Sequence, residues 1–236
     1  MTHLRIAEIF GPTVQGEGAV IGRPTVFIRA GGCDYRCSWC DSLHAVDSKY
    51  RHEWLKMTAD EVWNEVDALS SGVPLLISIS GGNPAIQDFS TVIKMGKQKG
   101  YHFACETQGS IAAPWFDALD MLVLSPKPPS SGHKVNWDVF DNCLSQPANK
   151  PNISLKIVVF DDVDFDWAYE VAQKYNHLSL YLQPGNDDVA ADSSFDLLQN
   201  QHKYEWLVNK VNDKKWYNAH VLPQLHVWLW GNKRGV

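Results

Sequence analysis

Cys33-Asp34-Tyr35-Arg36-Cys37-Ser38-Trp39-Cys40 places three thiols at spacings of four and three residues, directly after Gly31-Gly32. Three thiolates so spaced can hold three irons of a cubane cluster and leave the fourth iron without a protein ligand. Four-cysteine clusters are saturated electron carriers, whereas an iron with an open position can bind substrate. The alternatives are a zinc knuckle or three ordinary buried cysteines. Tetrahedral zinc favours a fourth ligand and paired short spacings, which this run lacks.

Working outward, the cysteine loop follows a strand, Pro24-Thr-Val-Phe-Ile-Arg-Ala30, rich in β-branched and aromatic residues. Thr58-Ala-Asp-Glu61 is a capping box ahead of Val62, Val66 and Leu69 at helical spacing. Further strands are expected at Leu75–Ile79, Tyr101–Cys105, Met121–Leu124, Ile153–Phe160 and Leu178–Leu182. Helices are expected from about Ala85 to Lys99, around Phe165 to Lys174, and from about Ser194 to Asn212 as the last element. Strand–helix alternation of this kind makes parallel strands joined by crossovers. The expected architecture is one α/β domain spanning residues 1–236, a partial, open barrel of the (β/α)6 type with shortened helical content.

The unusual residues fall at one place on that scaffold. Gly81-Gly-Asn-Pro84, Glu106-Thr-Gln-Gly109, Ser125-Pro-Lys-Pro-Pro129 and Gln183-Pro-Gly-Asn186 each follow an expected strand, as the cysteine loop does. In parallel barrels that C-terminal rim is where catalytic loops converge. Turn chemistry explains the glycines and prolines, but a turn requires neither Glu106 nor Lys127 nor Gln183.

Composition sets bounds. The 236 residues are 44% hydrophobic and 20% charged, as in an ordinary globular protein, with a formal net charge of -6. That balance, with no basic block, argues against nucleic-acid binding. No apolar run reaches membrane-span length, and the start Met-Thr-His-Leu-Arg is not a signal peptide. Five cysteines without an export signal point to a reducing cytoplasm. Cys105 and Cys143, distant from the loop, read as small buried hydrophobes.

The three-cysteine run resembles that of the radical S-adenosylmethionine (SAM) enzymes. That resemblance implies a 4Fe-4S cluster on Cys33, Cys37 and Cys40, with SAM chelating the open iron. One electron from the cluster then cleaves SAM to methionine and a 5′-deoxyadenosyl radical. Gly81-Gly82-Asn83-Pro84 is similar to the Gly-Gly-Glu-Pro stretch that holds the SAM amino group there, with Asn83 in place of the acid. Glu106 is the candidate compensating charge, aided by Gln108. Trp39, Cys40 and Asp41 are expected against SAM, Ser125, Pro126 and Lys127 at its carboxylate or ribose, and Gln183 at its adenosyl part.

Ile9-Phe-Gly-Pro-Thr-Val-Gln-Gly-Glu-Gly18, the cysteine run extended to Asp41-Ser42, Glu106–Gly109, Ser125–Pro129, Leu222-Pro-Gln-Leu-His226 and Trp230-Gly-Asn-Lys-Arg-Gly-Val236 narrow the resemblance to the 7-carboxy-7-deazaguanine synthase family. It implies ring contraction of 6-carboxy-5,6,7,8-tetrahydropterin with loss of ammonia, in 7-deazapurine biosynthesis such as that of queuosine. SAM is regenerated in each cycle. The resemblance further implies a magnesium ion with Ser42 as ligand, although Ser42 alone reads as a turn residue. It implies a pterin site of Val14, Gln15, Gly16, Glu17, Arg29, Ser80 and the terminal carboxylate of Val236. It also implies a homodimer and a flavodoxin or ferredoxin reductant. Two other readings stand beside this one: a radical SAM activase acting on a protein partner, and a noncatalytic metal-binding module.

Overall fold

The computed structural model describes residues 3–149, 151–187 and 196–236. Its strands are β1 (Leu4–Val14), β2 (Pro24–Ala30), β3 (Leu55–Met57), β4 (Leu76–Gly81), β5 (His102–Thr107), β6 (Met121–Leu124), β7 (Asn152–Val159), β8 (Ser179–Pro184) and β9 (Ala219–Val221). All belong to one sheet in the order β3-β1-β2-β4-β5-β6-β7-β8-β9. The six strands expected from sequence are β2, β4, β5, β6, β7 and β8, which lie side by side and parallel. The sheet is open. β1 and β3 extend it antiparallel on one edge, and the short β9 extends it parallel on the other.

The helices are α1 (Leu43–Val46), α2 (Ala59–Leu69), α3 (Ser90–Gln98), α4 (Trp137–Ser145), α5 (Asp162–Lys174), α6 (Leu197–Asp213) and α7 (Leu225–Trp230). The capping box at Thr58 forms as expected, with Thr58 and Glu61 satisfying each other's backbone N–H groups. Between β5 and β6 a 3-10 turn, Pro114–Ala118, stands where a helix would complete a regular crossover. Helical content is shortened there.

Several expected boundaries move. The single helix from Ala85 to Lys99 is instead a 3-10 turn, Pro84–Ile86, followed by α3. The break has a cause: the Gln87 side chain pairs with the Arg5 backbone, accepting at 2.6 Å and donating at 3.0 Å. Ordered against β1, Gln87 cannot continue a helix. The strand expected to end at Cys105 runs to Thr107, and the one expected to end at Leu182 runs to Pro184. Glu106 and Gln183 therefore sit on strands, not in the loops beyond them. The expected start of α6 at Ser194 lies outside the described residues, and α7 follows it as a further helix.

Strand alternation separates two environments. Val26, Ile28, Ile77, Ile79, Phe103, Leu122, Leu155, Ile157 and Leu182 are buried against the helices, with Phe89, Phe116 and Phe140 filling that core. Cys105 and Cys143 belong to it, as their sequence context suggests. The intervening residues face the other way: Arg29 on β2, Ser80 on β4, Glu106 on β5, Lys156 on β7. Low in this concave face, Val20 from the turn after β1 packs with Leu76 and Ala104, plugging the barrel from within. No helix among the described residues is long and apolar enough to cross a membrane.

Helix–sheet packing is tightest at Gly96 on α3, where an added Cβ would lie 2.5 Å from Phe103 and 2.7 Å from Trp63. Gly96→Ala gains about 1 kcal/mol of helix propensity, but the collision costs about 1–3 kcal/mol. Thermal unfolding should show net destabilisation; a raised midpoint would mean that the two rings move aside freely.

Candidate active site

The C-terminal ends of the parallel strands surround a cavity of about 250 Å³. Cys33, Cys37, Trp39, Cys40, Asp41 and Ser42 form one wall, and Arg29, Ser80, Gly82, Gln108 and Lys127 surround them. Val14, Gln15, Gly16, Glu17 and Glu106 line it more deeply, and Gly231 to Val236 run along its border. Sequence-expected residues from every motif thus meet here. Asn83, Ser125, Pro126 and Gln183 are buried and do not line the cavity. A second, open groove between Ala85 and Trp115 is lined mainly by small and apolar groups, and no basic side chain faces it.

The cysteine loop has no regular structure of its own and is held from outside. Gln108 Nε2 and Asn83 Nδ2 both donate to Asp34 Oδ1, at 2.8 and 2.7 Å. Asn83 also donates to Ser110 Oγ at 3.1 Å, and its Oδ1 accepts from Thr107 and Ala85. One of its four side-chain hydrogen bonds thus fixes the loop, and the other three fix Asn83 itself. Farther along, Arg36 N donates to His133 Nε2 at 2.7 Å, and Tyr35 stacks on the His133 ring. Trp39 Nε1 donates to Ser130 Oγ at 2.9 Å, which in turn donates to the buried Asp164 at 2.5 Å. Asp164 also accepts from Ser130 N and Phe160 N, so one carboxylate ties α5, the end of β7 and the cysteine loop together. Gly82 lies where any side chain would collide with the Gly32 carbonyl, which explains a glycine at that crossing.

The three loop cysteines are free and half-buried. Burial pushes all three thiols up, Cys40 to about 12 with help from the Asp41 carboxylate. Tyr35, Gln108 and Lys127 favour the thiolates, but burial outweighs them, so these are not activated nucleophiles; a bound metal would supply the missing stabilisation. Among the described residues no three His, Cys, Asp or Glu side chains converge as ligands of a single metal ion. Cys33 Sγ accepts from Tyr35 N at 3.4 Å and Gln108 Nε2 at 3.6 Å, the kind of hydrogen bond that tunes a ligating sulfur. Three cavity-facing thiols with donors already aimed at one of them fit a cluster held by three cysteines.

Beside the end of the loop, Glu8 organises a second group. Its Oε1 accepts from Arg29 Nε at 2.5 Å and pairs with His44 Nε2 at 3.1 Å. Arg29 NH1 donates to Ser42 Oγ at 3.2 Å, and Ser42 donates to Asp41 at 2.8 Å. Burial alone would raise the Glu8 carboxyl, but His44 and Arg29 outweigh it and hold it at about 2. Phe10 and Phe27 stack beside this group at 4.9 Å, with Arg29 over the Phe10 ring.

On the floor, the ammonium of Lys156, 3% exposed, pairs with Glu17 and Glu106. Burial would discharge it, but the two carboxylates drive its pKa above the usual lysine range. Gln224, just ahead of α7, donates to Glu17 at 2.6 Å. Gly16 must be glycine because a side chain there would collide with His226. Asn186 Nδ2 donates to Asn232 Oδ1 at 2.8 Å, tying the loop after β8 to the final segment.

Sequence reading missed Glu8, His44, Asp34, Asp164 and Lys156. Lys156 had a legible signal, a lone cation in Ile153–Phe160, which is otherwise almost wholly apolar. Glu8 and Phe10 share the cavity face of β1, set off from the core residue Ile6 by a register shift that the sequence does not announce.

A family model described as a 4Fe-4S single cluster domain matches residues 14–108. The 7-carboxy-7-deazaguanine synthase of Bacillus cereus is 43% identical over 239 residues, covering 100% of both chains. That of Bacillus subtilis is 43% identical over 237 residues, 98% of each. Among solved structures, QueE from Escherichia coli aligns with a TM-score of 0.65 at 21% identity, over 95% of each chain. Streptococcus suis SuiB bound to the precursor peptide SuiA aligns at 0.59 and 12%, over 86% of this chain and 49% of that one. These two likenesses concern the fold.

Two outcomes follow from the geometry. Asp164→Ala strands three donors and should cost about 2–4 kcal/mol in chemical denaturation, with faster amide exchange at Ser38; unaltered exchange there would detach Asp164 from the loop. Because the Glu8 carboxyl lies below its ordinary value when folded, its stabilisation is complete above about pH 4.5 and lost as pH falls toward about 2. Glu8→Gln should therefore flatten the acid limb of the stability profile, and a parallel limb would show that Glu8 does not titrate with folding.

Proposed function

Because the chain belongs to the 7-carboxy-7-deazaguanine synthase family, we propose that it is a radical SAM lyase converting 6-carboxy-5,6,7,8-tetrahydropterin to 7-carboxy-7-deazaguanine and ammonia. The observation that carries this reading is the convergence of the three loop cysteines, Arg29 and the Glu17–Lys156–Glu106 group on one cavity. When bound, the cluster and SAM supply the radical that activates the substrate carbon.

The chain's own residues bind, orient and exclude. Cys33, Cys37 and Cys40 hold the cluster, and Trp39, Asp41, Gly82, Gln108 and Lys127 line the SAM side; Glu106, expected there from sequence, is paired instead with Lys156 on the floor, and Asn83, Ser125, Pro126 and Gln183 lie behind the wall. Trp39 and Lys127 face each other across the cavity wall, with the ammonium 5.9 Å from the ring centre, while Asn83 acts through Asp34 and the loop. The pterin side comprises Val14, Gln15, Gly16, Glu17, Arg29, Ser80 and Val236. Glu8 occupies the Arg29 Nε and Ser42 one NH1 hydrogen; the remaining terminal N–H groups suit a substrate carboxylate. Phe10 and Phe27 give a flat heterocycle an apolar neighbour.

Magnesium fits the oxygen donors of Ser42 and Asp41, both at the cavity wall. A magnesium ion keeps much of its shell for water and substrate oxygens, and a substrate carboxylate there would separate it from the Arg29 guanidinium. The reading includes a homodimer, working as one domain per chain, with flavodoxin or ferredoxin as electron donor.

The test is anaerobic reconstitution with iron and sulfide, reduction, then SAM, magnesium and the carboxypterin. Product without stoichiometric loss of SAM is expected. SAM cleavage with the pterin untouched would remove the substrate assignment and leave the cluster. Ser42→Ala should lose most magnesium stimulation with an intact cluster spectrum; unchanged stimulation would remove Ser42 as a ligand. Residues appended after Val236 should lower turnover more than tenfold, since they would enter the cavity border, and full turnover would place that carboxylate outside the reaction.

A further inference from the structure

The floor of the cavity is an ionic layer whose central lysine holds neither the cluster nor SAM. Lys156 lies in the middle of β7 and sends its ammonium into the barrel, where it meets Glu17 from the loop after β1 and Glu106 from β5. Two carboxylates around one ammonium leave a net charge of -1. Below them the barrel is closed by Val20, so the open side of the layer is the cavity. Gln224 spends its Nε2 on Glu17 at 2.6 Å, and its Oε1 is buried without a partner. Glu17, Glu106, Lys156 and Gln224 all line the cavity.

Most of the unused valences of this layer are acceptors: lone pairs remain on both carboxylates and on the Gln224 amide oxygen, against one further N–H each on Lys156 and Gln224. Carboxylates accept only when ionised, and the orphan amide oxygen accepts only. A buried acceptor without a donor is costly, so the layer calls for a ligand edge that presents N–H groups. Lys156 sets that polarity. Without it, two adjacent carboxylates shielded from water would share a proton, since neighbouring like charges disfavour double ionisation. One of them would then become a donor.

We propose that Lys156 is a specificity-determining positioning residue: it fixes Glu17 and Glu106 as paired acceptors, so that the floor takes the amino and ring N–H donors of a 2-amino-4-oxopyrimidine edge and refuses the 2,4-dioxo edge. The inference rests on the reading that the ligand is a carboxypterin, and adds which edge lies deepest and why the amino group is required. Arg29 and Ser42, on the opposite wall, are left for the carboxylate end.

The experiment uses two unreactive aromatic probes, 6-carboxypterin and 6-carboxylumazine, which differ in the amino or oxo group at C2. Their affinities for the reconstituted, SAM-loaded protein are measured by titration calorimetry. The wild type should favour the amino compound by at least about tenfold, well within what a hydrogen-bonding site achieves. Lys156→Met should narrow the ratio to about threefold or less, with cluster absorbance retained. Glu17→Gln, which leaves Lys156 paired only with Glu106, should narrow it likewise and serves if the methionine variant does not fold. A wild-type ratio near one, or an undiminished ratio in either folded variant, overturns the proposal and leaves the pterin reading standing. Failure of the wild type to bind either probe overturns both.

Discussion

A lysine ammonium inside a sheet persists only if carboxylates are brought to it. Lys156 sits at 3% exposure on a central parallel strand, where an unpaired charge would cost several kcal/mol. Its two partners come from distant places, Glu17 from beyond β1 and Glu106 from β5. Glu17 in turn receives Gln224, and Gly16 receives the backbone N–H of Leu225. Neutralising one charge therefore gathers both extremes of the described chain onto the barrel interior. The concave face is polar for the same reason: once the lysine is there, apolar neighbours alone would not support it.

The cysteine loop shows the opposite economy. It carries little packing of its own, and its shape is imposed by side chains from the strand ends. Asp34 is gripped by Asn83 and Gln108, while Trp39 is gripped through Ser130 by Asp164. A loop held at both ends by buried partners keeps its three thiols turned to the cavity before any metal arrives. Such preorganisation lowers the cost of ordering the site when ligands bind. Asn83 illustrates how a residue in a cofactor motif acts at one remove. Its side chain reaches the cysteine loop through Asp34 and is fixed behind the wall by Ser110, Thr107 and Ala85.

Much of this was legible in the sequence where local rules dominate. The thiol spacing, the Thr58 capping box and six parallel strands follow from short-range patterns, and so does the gathering of odd residues at the strand ends. What escaped depends on partners far away in the chain. The Ala85–Lys99 pattern looks like one helix until Gln87 is seen bonded to Arg5. β1 is interrupted by Gly11-Pro12 and alternates polar with apolar residues, so propensity alone gives it little weight. Lys156 stands out as a lone cation in a buried run, but its partners Glu17 and Glu106 lie far from it in the chain. Asp34 and Asp164 look like turn and helix-start residues, and their importance lies in what they hold. Asn83, Ser125 and Gln183 were rightly placed near the strand ends, but burial keeps them from the cavity wall.

An open sheet leaves two rows of unpaired backbone, and here each ends in a short strand, with β3 covering only Leu4–Ile6 of the longer β1. The outermost strands, β3 and β9, have three residues each. β3 carries Lys56 between Leu55 and Met57, and β9 carries His220 at its centre. Edges this brief, each broken by a side chain that prefers water, give a second molecule little to template upon. The protein can thus keep the gap that admits a ligand without exposing a surface on which copies would polymerise into extended β-structure.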